Sequence, residues 1–84
     1  MKKYKAIKKE VCCDEEYYYK VTRNNIRIYR IEKKLTQQDL ADLCGLSRGY
    51  ICDIENDLKH KHFSIATLSK ISCALECSIY LFFK

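Results

Sequence analysis

From Asn24 onward, apolar positions recur at intervals of three and four, the spacing of a helix with a buried face. In NNIRIYRIEKKL this puts Ile26, Tyr29, Arg30 and Lys33 on one side. Ile28 and Ile31 fall on another, so more than one face is expected to be covered, by the Tyr-rich segment before it or by a second subunit. Thr36 offers a side-chain oxygen to the free amides of the next turn, and Asp39 makes a shortened capping box with it. A second helix therefore starts near Gln37 and carries Leu40, Ala41, Leu43 and Cys44 inward. It stops at Gly45, which has no Cβ to oppose left-handed backbone. Ser47 caps a third helix, predicted over 48–56, with Ile51 and Ile54 facing the core beside Leu46. After the polar, basic loop LKHKHF, Ser64 caps a fourth helix bearing Ile65, Leu68, Ile71 and Leu75, and Ser78 opens a last short one, SIYLFF.

Residues 1–21 have a different texture: lysine-rich KKYKAIKKEV, the acidic CCDEE, then the aromatic YYYKV. Two readings compete. Two β-tolerant runs around a polar turn make a short hairpin, the preferred reading; alternatively a helix starts at Asp14, with Glu15 and Glu16 at its positive end. The expected organisation is an N-terminal arm (1–21), serving as a dimer or partner contact, followed by a helical domain (22–84).

Composition narrows the class further. With no proline and two glycines in 84 residues, strand punctuation is scarce, and an all-α fold fits best. A chain of this size buries a modest core and leaves little room for a large catalytic cleft. Sixteen Lys+Arg against eleven Asp+Glu give a formal charge of +5, which favours an acidic partner such as nucleic acid. No apolar run has the length of a signal peptide or of a membrane span, so a cytoplasmic protein without membrane contact is expected. The six cysteines contain no CxxC and are expected to be reduced; Cys73 and Cys77, four apart, could supply two ligands, with His60 and His62 completing a metal set. Free cysteines more often behave as small buried hydrophobes, so neither a metal nor a cofactor is expected.

A tight helix-turn-helix needs a small residue where its helices cross, a turn residue tolerant of positive φ, and apolar residues on the inner face of its second helix. Ala41, Gly45 and the set Leu46, Ile51, Ile54 meet these needs. The segments RIEKKLTQQDLADLCGLS, YICDIEN and TLSKISCALECSIYLFF together resemble the Cro and phage-repressor type of helix-turn-helix, the xenobiotic-response-element family of bacterial regulators. The resemblance spans about Ile26 to Phe83. It implies a five-helix bundle that binds double-stranded DNA as a dimer, with the second helix of the motif in the major groove. Matching positions give Arg48, Gly49, Tyr50 and Asp53 as base contacts, and Gln37, Gln38 and Ser47 as backbone contacts. The loop residues Lys59, His60 and Lys61 would add further backbone contacts, and Arg30 with Glu55 would form a structural ion pair. Arg48 suits guanine, Asp53 suits cytosine N4 or the orientation of an arginine, and Tyr50 suits a thymine methyl or the core edge. Lys34 and Asp57 stand where the family often has glycine.

The leading expectation is a sequence-specific transcriptional regulator, a dimeric repressor of a palindromic operator, with Tyr80, Leu81, Phe82 and Phe83 as apolar dimer surface. An antitoxin or controller that also binds a partner protein through the arm is the alternative; a thiol or metal sensor comes third. No arrangement of nucleophile and base specifies an enzyme.

Overall fold

The computed structural model describes residues 14–84 and consists of α1 (Glu15–Glu32), α2 (Gln37–Cys44), α3 (Arg48–Glu55), α4 (Ile65–Ala74) and a terminal 3-10 segment, Ile79–Phe83. Among the described residues there are thus four α-helices, not five. The fifth expected helix is a tight 3-10 turn, in which the amide of Leu81 donates to the carbonyl of Ser78 at 3.0 Å.

The hairpin expectation also fails where it can be seen. Residues 15–21, which would have held its second strand, are the first turns of α1. The Asp14 carboxylate accepts the Glu16 amide at 3.0 Å, and Glu15 and Glu16 lie against the positive end of the helix. These helix-start contributions outweigh the strand preference of three consecutive tyrosines. The other half of the expected hairpin, with Cys12 and Cys13, lies outside the described residues.

Caps define the remaining boundaries. Thr36 and Asp39 form a reciprocal capping box, with bonds of 3.0 and 2.9 Å, and Ser64 Oγ accepts the Thr67 amide at 3.1 Å. The core takes Ile26 from α1, Leu40 and Ala41 from α2, and Ile51 and Ile54 from α3. Phe63, Leu68, Ile71, Leu75 and Phe82 complete it. Leu43 and Ile65, expected inside, are 60% and 67% exposed because they sit on the outer flanks of their short helices. Ile28 and Ile31 also face outward, and no other described residue covers this second face of α1.

One side chain absent from the sequence-level core is among its largest members. Arg23 is 2% exposed; its Nε donates to the carbonyl of Ile54 at 3.1 Å and its Nη2 to the carbonyl of Lys61 at 3.1 Å. One turn on, Arg27 Nη1 donates to the carbonyl of Glu55 at 3.0 Å. α3 ends in extended backbone at Asn56, without a glycine cap, so the arginines of α1 take up carbonyls that its last turn leaves unpaired.

Replacing Arg23 with Met removes these donors while keeping apolar bulk. Urea unfolding of Arg23→Met is expected to show a loss of about 2–4 kcal/mol at unchanged slope. The opposite sign is expected at Lys34, which ends α1 in the left-handed region at φ 61, with Leu35 N donating to Arg30 O at 3.1 Å. Lys34→Gly should raise stability by about 1 kcal/mol in the same assay, because glycine adopts that backbone without strain.

Candidate nucleic-acid interface

α2 and α3 meet across three residues, Gly45, Leu46 and Ser47. Gly45 adopts φ 71 and ψ 29, directs its amide to the carbonyls of Ala41 and Asp42, and lets the Leu46 amide reach Ala41 O at 2.9 Å. Ala41 is fully buried at the crossing, and Ser47 Oγ accepts the Tyr50 amide at 3.1 Å to start α3. A short helix is thereby carried across the front of α2 with its inner face in the core and its N-terminal residues outward.

That outer face bears Arg48 and Gly49, both exposed, and Tyr50 and Asp53, both half-buried. The Tyr50 ring packs against the core edge and carries Lys61 Nζ 5.2 Å from its centroid. Lys59 Nζ stands 4.0 Å from the Asp53 carboxylate. The basic loop after α3 therefore folds back beside the exposed face of that helix. A Cβ built on Gly49 meets nothing within 4 Å, so no intramolecular packing requires glycine there.

Behind this face, Glu55 collects donors from two helices. Arg30 grips its carboxylate with two bonds, Nε to Oε2 at 2.7 Å and Nη2 to Oε1 at 3.0 Å, and Gln37 Nε2 donates to Oε1 at 3.1 Å. Both charged partners are largely out of solvent, 12% and 3% exposed. Gln37, expected on phosphate, thus spends a donor on joining the start of α2 to the end of α3. Its neighbour Gln38 donates to Asp42 at 2.8 Å.

Other expected site residues are distributed differently. His60 and His62 lie against Glu15 and Glu16 at the start of α1, not with Cys73 and Cys77. Burial pushes the Cys44 and Cys77 thiols up, away from the reactive thiolate form. Phe82 does not belong to a dimer surface: it is fully buried beneath α1, where Tyr29 lies beside its ring and Asn25 Nδ2 donates to its carbonyl at 2.8 Å. Tyr80 and Phe83 remain exposed, and Leu81 is half-buried. The buried Arg23 and the half-buried Arg27 were not singled out from sequence; their spacing with Arg30, four and then three residues, was the available signal.

A helix-turn-helix family profile matches residues 26–82. The chain belongs to that family. It is similar to a Neisseria meningitidis protein described as a hypothetical transcription factor, 31% identical over 67 residues, which are 80% of this chain and 61% of the relative. An immunity repressor of Bacillus phage phi105 is 44% identical over 50 residues, 60% of this chain and 33% of that protein. The chain thus spans less than two thirds of either relative. Among solved structures, the restriction-modification controller C.Esp1396I superposes with a TM-score of 0.71 at 34% identity, covering 80% of this chain and 84% of the controller. The same controller has been solved as a nucleoprotein complex.

The two glycines of the motif should respond oppositely to the same substitution. Gly49→Ala, in open space with ordinary helical backbone, should raise stability by about 0.5–1 kcal/mol. Gly45→Ala, forced to positive φ, should lower it by about 1 kcal/mol or more, both read from thermal unfolding midpoints.

Proposed function

We propose that the protein is a sequence-specific DNA-binding transcriptional regulator, a homodimeric repressor that places α3 in the major groove of each half of an inverted repeat. The observation that carries this reading is the outward face of α3, with Arg48 exposed and Lys59 and Lys61 folded back alongside it. Arg48 presents two parallel donors suited to guanine O6 and N7; Tyr50 offers a ring edge to a thymine methyl, and Asp53 accepts from cytosine N4 or orients Arg48. Gly49 leaves room for the helix backbone to approach the bases. The amides at the start of α2, with Gln37 and Gln38, and the Ser47 hydroxyl suit phosphate oxygens, while Lys59, Lys61 and His60 contribute charge along the backbone. Exposed Tyr80 and Phe83, with Leu81 beside them, supply apolar surface to a second copy. Two-fold pairing then sets half-sites roughly 34 Å apart or a multiple of it. The role is binding rather than catalysis, in the bacterial cytoplasm where the operator lies.

The similarity to a restriction-modification controller favours one second reading, a controller whose residues 1–21 also engage a partner protein. Deleting residues 1–13, which leaves α1 whole, should then abolish co-purification of that partner without weakening DNA binding.

Selection from a random duplex pool tests the main reading. An inverted repeat should be enriched. Arg48→Ala should relax preference at one base pair per half-site by about 1–3 kcal/mol, whereas Lys59→Ala should weaken all sequences alike and reduce the salt slope by about one. An unstructured pool after selection, or an unchanged preference in Arg48→Ala, would contradict it.

A further inference from the structure

Glu15 and Glu16 of the first turn of α1 converge with His62 of the loop after α3, and His60 of the same loop stands beside Glu16. His62 Nε2 is hydrogen-bonded to Glu16 Oε2, and its ring stacks on Tyr19 with centroids 4.1 Å apart and planes within 2°. On its other side, His62 Nδ1 is 3.9 Å from Glu15 Oε2. Glu16 Oε1 is shielded from solvent, accepts no hydrogen bond among the described residues, and lies 3.8 Å from His60 Nδ1. One ligand atom from each of Glu15, Glu16 and His62 falls within 4.8 Å of the others.

We propose that Glu15, Glu16, His60 and His62 bind a divalent cation of the zinc class, linking the first turn of α1 to the loop that follows α3. Ligands held at roughly 2.0–2.2 Å around a tetrahedral ion lie about 3.3–3.6 Å from one another, so Glu15, Glu16 and His62 need side-chain adjustments to close on an ion, and the exposed His60 must swing in from its place beside Glu16 to complete the set. Imidazole with carboxylate selects zinc, cobalt or nickel over calcium and magnesium, which favour all-oxygen shells. The helix dipole accounts for Glu15 and Glu16 in a first turn, but not for two histidines brought to them from a loop more than forty residues away, nor for a shielded oxygen that accepts no hydrogen bond among the described residues. Binding replaces the hydrogen bond between His62 Nε2 and Glu16 Oε2. It also fixes the loop carrying Lys59 and Lys61, although the site itself does not depend on the DNA-binding reading.

Cobalt chloride titrated into the full chain, followed by visible absorption, separates this site from the cysteines. Nitrogen and oxygen ligation gives a weak d–d band without thiolate-to-cobalt charge transfer, and zinc chloride should bleach that band. Zinc should also raise the thermal midpoint. Both effects should weaken at least about tenfold in metal affinity in Glu16→Gln and His62→Gln, each compared with its own metal-free midpoint, and persist in Cys73→Ser/Cys77→Ser. The proposal is overturned by absence of the band, by a charge-transfer spectrum indifferent to Glu16→Gln, or by an equal midpoint rise with magnesium.

Discussion

Three arginines on one face of α1 hold the C-terminal end of α3, and the geometry of the outward surface follows from that grip. α3 is eight residues long, too short for stability of its own, and it ends without a glycine that would turn its last carbonyls inward. Arg23 and Arg27 donate to the carbonyls of Ile54 and Glu55, and Arg30 closes on the Glu55 carboxylate. Positive charge at a helix C-terminus is favoured by the macrodipole, so the same three contacts satisfy hydrogen bonds and complement charge. With one end of α3 clamped and the other fixed by Gly45 and the Ser47 cap, the helix has little freedom to rotate. Arg48 and Gly49 are left facing outward.

Much of this was legible in the sequence, and the misses have identifiable causes. Caps are local, so Thr36, Gly45, Ser47 and Ser64 marked their boundaries correctly. The aromatic run at 17–19 misled because strand preference is a weak prior, and it lost to an N-cap and two well-placed carboxylates one turn upstream. Leu43 and Ile65 were assigned inward by spacing alone; helices of eight and ten residues bury too narrow a stripe for every apolar residue to reach the core. Phe82 could not be told from Tyr80 or Phe83 by composition, since five residues of 3-10 helix offer no long period to read.

The arginines illustrate a different limit. A pattern reading treats a basic residue as solvated, yet Arg23 is buried because a helix end waits for it thirty-one residues further along the chain. Gln37 shows the same effect from the other side. Its position matched a phosphate contact, while the structure also ties it to Glu55, so one residue connects the frame to the surface where a phosphate would lie. Frame and surface are therefore not separable sets of residues in this small domain.

The grip on α3 is tested most directly by a double-mutant cycle between Arg30 and Glu55, using Arg30→Met, Glu55→Gln and the double variant in urea unfolding. The two-bond, largely buried pair predicts a coupling free energy of about 1.5–3 kcal/mol, with the double variant much more stable than the sum of the single losses implies. Single losses that add to within about 0.5 kcal/mol would mean that the pair does not hold the helix, and would contradict the clamp as the basis of the surface.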